Sequence, residues 1–275
     1  MTFPVIAAYR RSPFTQAKKG ALARTRPDDI LAQVIKSLIQ DYPSIVEEIE
    51  DVLVGCAFPE GEQGFNIGRM VTFLAGLPHS VGGVTINRFC GSSMQSIHDA
   101  AGAIALGSGE AFLCCGVESM SRIPMTGFNP MPNPVLNDEY PEAFTSMGIT
   151  AENLAKSHSI SREEQEKFAV SSHQKASTAR EAGSFTDEIV VIETNDGVVD
   201  SDGCIRPETT ADVLAGLRTA FDQSGTVTAG TSSPLTDGAA VVLVCSDEFA
   251  KRHSIKPLAR IVSTAICGCD PEYMG

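Results

Sequence analysis

The chain of 275 residues carries 34 acidic against 21 basic side chains, a formal net charge of −13 at pH 7. That balance argues against a protein that tracks nucleic-acid phosphates, which needs a basic face, and fits a globular protein with 43% hydrophobic and 20% charged residues. No apolar run approaches the length of a membrane span, and Met1-Thr2-Phe3-Pro4 leads into a strand-like run without the charged start and long apolar segment of an export signal, so a cytoplasmic protein is expected.

In chain order, Pro4 to Ala8 reads as a first strand, left through the turn Arg10-Arg11-Ser12-Pro13. Pro27-Asp28-Asp29 opens a helix, because proline and acids are both favoured in a first helical turn. Its buried stripe is Ile30, Leu31, Val34, Ile35, Leu38 and Ile39, and Asp41-Tyr42-Pro43 ends it. Asp51 to Ala57 is a second strand and Asn66 to Ala75 a second helix. Strands alternating with helices predict a layered α/β fold on a parallel sheet.

The segment from Val84 to Glu118 repeats the pattern in its most distinctive form. Val84 to Asn87 is a short strand, Cys90-Gly91-Ser92-Ser93 opens a helix whose stripe is Met94, Ile97, Ala101 and Ile104, Gly107 stops it, and Phe112 to Val117 is the next strand. A cysteine at such a strand-to-helix turn meets the positive end of the helix dipole, which favours a thiolate nucleophile. A buried, inert thiol is the common alternative for a free cysteine. Between Cys90 and Gly109 the one formally charged side chain is Asp99, and Gly91, Ala100, Ala101, Gly102, Ala103 and Ala105 keep the helix slender, so a central helix covered on both sides is expected.

Beyond Glu118 the pattern loosens. Met120 to Tyr140 contains Pro124, Pro130, Pro132 and Pro134 and reads as an irregular surface loop. Ser161-x-x-Glu164 is a capping box for a helix reaching about Glu181, with Gly183 as its stop. Ile189 to Ile192 and Val198-Val199 flank Asn195-Asp196-Gly197 as a hairpin, and Asp200-x-Asp202-Gly203 is read as a turn because it lacks the remaining ligands of a calcium loop. Met120 to Leu235 holds 8 basic and 17 acidic residues, as expected of an inserted, solvated subdomain. Thr236-Asp237-Gly238 then turns the chain into a buried strand, Ala239 to Val244, and Pro257 to Ser263 begins another. The eight cysteines (Cys56, Cys90, Cys114, Cys115, Cys204, Cys245, Cys267, Cys269) suit reduced thiols in a chain of this size. They lack zinc-motif spacing, and His79, His98, His158, His173 and His253 are scattered, so no metal is expected.

The stretch N-R-F-C-G-S-S-M-Q-S-I-H-D-A followed by G-V-E-S-M-S resembles the nucleophile segment of the thiolases, which exchange acyl groups between an active-site cysteine and coenzyme A. The resemblance extends over Glu62 to Arg69, Met147 to Asn153, Thr226 to Ala240 and Gly268 to Gly275, and T-A-G-T-S-S is most similar to the bacterial 3-ketoacyl-CoA thiolases of fatty-acid β-oxidation. It implies a layered α/β thiolase-type fold with one αβα half formed by residues 1–119 and 236–257, a CoA-binding loop domain inserted at 120–235, and 258–275 opening a second half that is otherwise missing. Cys90 is then the nucleophile. Arg206, fifteen residues before Phe221, matches the arginine that lies against the adenine ring. Phe221, Ala229, Gly230 and Ser233 match the pantetheine channel, and Met147 matches a methionine beside the acyl group. Ser146 departs from relatives that have histidine there.

The resemblance also implies coenzyme A as co-substrate without a permanently bound cofactor, a homodimer, and a multifunctional β-oxidation partner subunit. The family's G-H-P and N-E-A-F motifs, which supply the base and the oxyanion asparagine, do not occur in these residues. The one C-x-G string, Cys114-Cys115-Gly116, lies in the strand after the nucleophile helix and not in the second half, where the family carries its proton-moving cysteine. Three functions therefore stand side by side. The first is an acyltransferase that cleaves 3-oxoacyl-CoA with CoA, for which these 275 residues alone are expected to be catalytically incomplete. The others are an acyl-CoA-binding or assembly module without turnover and a β-ketoacyl synthase-like condensing enzyme.

Overall fold

A computed structural model describes residues 2–275. They form two compact units, one made of the chain up to Asn129 with Thr186–Cys204 and Leu235–Thr264, the other of Pro130–Phe185, Ile205–Pro234 and Ala265–Gly275.

The first unit is built on β1 (Pro4–Arg11), β2 (Thr15–Gln16), α1 (Pro27–Asp41), β3 (Asp51–Gly55), α2 (Ile67–Ala75), β4 (Val84–Ile86), α3 (Ser92–Leu106) and β5 (Ala111–Ser119). After the excursion into the second unit come the hairpin β6 (Ile192–Thr194) and β7 (Gly197–Val199), which packs with the sheet unit. The second unit holds α4 (Pro134–Glu139), α5 (Met147–Ser157), α6 (Arg162–Glu181) and α7 (Ala211–Ala215), and the chain returns through β8 (Thr236–Ser246), α8 (Asp247–Arg252) and β9 (Ala259–Arg260).

The sheet order is β4-β3-β5-β8-β1-β9, with β2 also paired to β8. β3 pairs parallel with β4 and β5, but β8 runs antiparallel to both β5 and β1, so the sheet is mixed where the alternation of elements predicts a parallel one. The reason is local. The chain leaves from the end of β5 and re-enters at that same end, with Ser119 opposite Asp237, so the returning strand has to run backward. The expected turn Thr236-Asp237-Gly238 is consequently the start of β8. Asp237 is fully buried, and its carboxylate accepts the Ser119 hydroxyl at 2.9 Å and the Ser121 N–H at 2.9 Å, so a residue that reads as a turn former is satisfied inside the sheet. The strand expected after Pro257 pairs with β1 only at Ala259 and Arg260.

The period-two alternation divides the core. Val52 and Val54 of β3, Leu113 and Cys115 of β5, and Val241 and Leu243 of β8 pack with the stripes of α1 and α2. Leu53, Phe112, Cys114 and Val244 face the other side, against Ala100 and Ile104 of α3. Among the described residues α3 is covered on one side only. Met94 and Leu106 are exposed, and Gly102 has open space where a Cβ would stand, so the second face of the helix is uncovered among the described residues. A Cβ on Gly55 would lie 2.4 Å from the Ser92 carbonyl carbon, and one on Gly116 would lie 2.7 Å from Ser93 Cβ, so two strand glycines seat the start of α3 directly on the sheet.

In the second unit α6 has the full capping box: the Ser161 hydroxyl accepts from Glu164 N–H at 3.2 Å, and Glu164 Oε2 accepts from Ser161 N–H at 2.8 Å. The loop expected from Met120 to Tyr140 contains one short helix, α4, capped by Asn133 and burying no side chain. In the sheet unit the Asp202 carboxylate receives both terminal nitrogens of Arg11, at 2.8 and 2.9 Å, and Phe14 N–H at 2.8 Å.

Candidate active site

Cys90 stands between β4 and α3 and is exposed. Around it the backbone is tightly tied. Gly91 N–H donates to Arg88 O at 3.1 Å and Ser92 N–H to Phe89 O at 3.0 Å. The Ser92 hydroxyl accepts Arg88 N–H at 2.8 Å and donates back to Phe89 O, which stitches the loop to the first turn of the helix. On the outer face Arg88 Nε donates to Gln95 Oε1 at 2.8 Å, and Gln95 Nε2 donates to Asp99 Oδ1 at 2.6 Å. Phe89, immediately before the cysteine, has φ +45°, a left-handed conformation uncommon for an aromatic residue. Its ring lies 6.0 Å from that of Phe58.

The other thiols differ in kind. All eight cysteines are free, but Cys56, Cys114, Cys115 and Cys245 are buried. Burial pushes the Cys56 and Cys245 thiols up to about 12, and raises those of Cys114 and Cys115 as well. Such thiols stay protonated and inert at neutral pH. Cys204 is half-buried, and Cys267 and Cys269 share exposure with Cys90 but lie outside regular strands and helices. Among the described residues, no histidine or carboxylate hydrogen-bonds Cys90, and no group of His, Cys, Asp and Glu is arranged to hold a metal.

Beneath the loop lies a polar cluster to which the sequence reading assigned no role. Glu118, at the end of β5, accepts Ala57 N–H at 2.7 Å through one oxygen and Gln63 Nε2 at 2.6 Å through the other. Gln63 is fully buried, and its Oε1 accepts Ser119 N–H at 2.7 Å. Burial raises the Glu118 carboxyl above the ordinary glutamate range, with these hydrogen bonds opposing the shift. No local signal exposes the cluster, because its partners lie 55 to 61 residues apart in sequence; only the neighbouring bond of Phe89 N–H to Asn87 Oδ1, two residues back, follows a local spacing.

The second unit contains the remaining sequence-predicted residues. Met147 is the first residue of α5 and is exposed. The Phe221 ring lies directly on the next residue, Gly148: a Cβ there would be 2.1 Å from the ring, so Met147 and Phe221 are neighbours only because position 148 is glycine. Ala229 and Gly230 sit in a turn closed by Thr228 N–H to Thr231 Oγ1 at 3.0 Å and Gly230 N–H to Thr228 Oγ1 at 3.2 Å. That turn rests on Leu214 and Leu217, whose side chains would lie 2.5 and 2.6 Å from a Cβ on Gly230. Ser233 follows it and is exposed. Arg206 is held by its backbone N–H to His173 Nδ1 at 3.2 Å, while its guanidinium is exposed and makes no hydrogen bond or ion pair among the described residues. The surface ion pair that a lone arginine in an acidic segment would suggest is not formed.

The family model "Thiolase, N-terminal domain" matches residues 4–248, which include the whole sheet through β8 and the Cys90 turn. The chain belongs to the thiolase family. This thiolase is 44% identical to a 3-ketoacyl-CoA thiolase of Bacillus subtilis over 98% of its own length and 73% of the relative's. It is 46% identical to a 3-ketoacyl-CoA thiolase of Pseudoalteromonas translucida over 100% of its own length and 72% of the relative's. Its fold superposes on human mitochondrial 3-ketoacyl-CoA thiolase in complex with CoA with a TM-score of 0.88 at 34% identity, and on the dimeric peroxisomal thiolase of Saccharomyces cerevisiae with a TM-score of 0.91 at 32% identity. Each superposition covers 99% of the thiolase described here and 72% of the solved chain.

Proposed function

We propose that this thiolase cleaves 3-oxoacyl-CoA with CoA, giving acetyl-CoA and an acyl-CoA two carbons shorter, and that Cys90 is the nucleophile. The Cys90 thiolate attacks the ketone carbon, and the bond between that carbon and the neighbouring CH₂ breaks. The electron pair leaves on acetyl-CoA, which takes up a proton, and the acyl group remains on sulfur as a thioester. The thiol of a second CoA then gives up its proton, which balances the one taken up by acetyl-CoA, and attacks the thioester, and Cys90 departs as thiolate. The observation that carries this reading is the exposed thiol just before α3 in a chain whose thiols in and beside the sheet strands (Cys56, Cys114, Cys115, Cys245) are buried, in a family whose relatives are named for this reaction.

The CoA-binding role belongs to the second unit in the same proposal. Arg206 stacks its unpaired guanidinium on the adenine, Phe221, Ala229, Gly230 and Ser233 line the pantetheine path, and Met147 borders the acyl group. The free guanidinium and the human relative's complex with CoA support this assignment. Of the insertion expected at 120–235, Pro130–Phe185 and Ile205–Pro234 carry the CoA-binding role, whereas Thr186–Cys204 packs with the sheet unit, and 258–275 lead into a second half. CoA is a co-substrate, and no cofactor is permanently bound.

A homodimer in the cytoplasm is the matching assembly, supported by the dimeric yeast relative, by bacterial relatives, and by the finding that no helix among the described residues is long and apolar enough to cross a membrane. A multifunctional β-oxidation partner rests on the resemblance alone. The deciding experiment incubates the full-length protein with 3-oxoacyl-CoA and CoA and follows the acyl adduct by peptide mass spectrometry. The adduct is expected on Cys90, and Cys90→Ala is expected to lower kcat by several orders of magnitude, as removal of a nucleophile does (on the order of 10⁶-fold in the best-measured case). Turnover preserved in Cys90→Ala would reject the assignment, and tight acyl-CoA binding without any adduct would favour the binding module.

A further inference from the structure

Phe89 does not hold its left-handed conformation unaided, because an L-residue's Cβ crowds the following carbonyl there. Two side chains touch the backbone at this point. The Ser92 hydroxyl bridges Arg88 N–H and Phe89 O, closing the loop onto its own helix. Asn87 does something different: its Oδ1 accepts Phe89 N–H at 2.9 Å, while its Nδ2 donates to the Ala57 carbonyl at 2.9 Å, thirty residues away in sequence. Ala57 is itself fixed, since its N–H is held by Glu118, which is held in turn by the fully buried Gln63. Cys56 N–H adds a backbone bond to Ile86 O at 3.0 Å. A continuous path of hydrogen bonds therefore runs from the sheet interior, through Asn87, to the residue that precedes Cys90.

We propose that Asn87 is a positioning residue for Cys90: by clamping Phe89 N–H to the β3–β5 body it fixes the left-handed turn and so the place from which the sulfur attacks. This rests on Cys90 being the nucleophile. Asn87 itself touches no reacting atom. Its leverage is geometric, because a misplacement of about 1 Å in a reacting group costs on the order of 10²-fold in rate. The Ser92 bridge does not replace it, since that bridge holds Arg88 N–H and Phe89 O and leaves Phe89 N–H to Asn87. The Phe58 ring, 6.0 Å from the Phe89 ring, limits the side chain but not the peptide plane.

The test compares Asn87→Ala and Asn87→Asp in the full-length protein, with Cys90 titrated by iodoacetamide so that kcat is expressed per reactive thiol. A merely structural role would lower the number of titratable sites and leave the rate at each unchanged. Positioning predicts kcat per titratable Cys90 lower by roughly 10–100-fold in Asn87→Ala, with KM changed by no more than about threefold. Asn87→Asp keeps the acceptor for Phe89 N–H and loses the donor to Ala57, so it should lie between Asn87→Ala and the unsubstituted protein. It also supplies the answer if the alanine variant does not fold. A kcat per titratable site within about twofold of the unsubstituted protein in every variant that folds would overturn the proposal. Failure of the nucleophile reading is a separate result, visible in the unsubstituted protein as an acyl adduct on a residue other than Cys90.

Discussion

In the sheet unit Val52, Leu113, Val241 and Leu243 are wholly shielded from water, as are Ile30, Leu31 and Ile35 of the helix packed on them. In the second unit the buried apolar residues are Ala155, Leu214 and Val227. What holds the second unit is polar. Glu152 accepts the N–H groups of Thr226 and Val227, both at 2.8 Å, and Arg162 donates to the carbonyls of Leu214, Ala215 and Leu217. Ser161 and Thr210 cap α6 and α7. The contrast teaches a division of labour. On the proposed reading, the region that has to fix one sulfur is set on close-packed strands, where displacement means opening a core. The region proposed to receive CoA is set by hydrogen bonds that exchange with water at modest cost.

The contrast is most exposed to disproof at Leu113. Leu113→Ala removes a wholly buried side chain from the central strand, and a loss of about 2–5 kcal/mol is expected in denaturant unfolding. A loss below about 1 kcal/mol would mean that the sheet is not held by its core. Next in size is Glu152→Ala, which leaves three donors without their charged acceptor, worth about 1.5–3 kcal/mol for a hydrogen bond to a charged group. Hydrogen exchange should quicken at Thr226 and Val227 while the amides of β5 and β8 keep their protection. Equal loosening of both regions would show one cooperative structure and erase the distinction.

How much of this was legible in the sequence depends on how local each cause is. The α1 stripe, the Ser161 capping box and β5 were readable because propensity, period and capping act within a few residues. The direction of β8 was not, because it follows from where the chain re-enters the sheet rather than from the strand's own residues. Asp237 misled for the same reason, since its partners Ser119 and Ser121 lie more than a hundred residues away in sequence. The seating of the start of α3 on Gly55 and Gly116 was not legible either, because it joins Ser92 and Ser93 to strands distant in sequence. At the site, Cys90 stood out from its turn, whereas Arg206 and Phe221 came from family resemblance alone. Half of Asn87 was visible, the bond to Phe89 two residues on. The bond to Ala57 needed the fold.

The smallest expected effect is in pH dependence, and it has opposite signs in the two regions. Burial raises the Glu118 carboxyl above its unfolded value, so between those two values the folded state holds a proton that the unfolded state has released. Its contribution is therefore most favourable below the unfolded value and is lost as pH rises through the raised folded value. Glu164 is the reverse case. The Ser161 N–H and hydroxyl lower its carboxyl, so its contribution is present above the unfolded value and is lost as pH falls through the lowered folded one. Asp222, lowered by the N–H and hydroxyl of Ser224, behaves in the same way. Mild acidification toward the ordinary carboxylate range should thus raise the stability of the sheet unit, while the Ala57 N–H, whose bond favours the ionised Glu118, loses protection relative to its neighbours. Stronger acidification should free the first turn of α6 and the Asp222 turn. Glu118→Gln should flatten the first response and Glu164→Gln the second, each without touching the other. A single variant that flattened both would show that the two regions titrate as one.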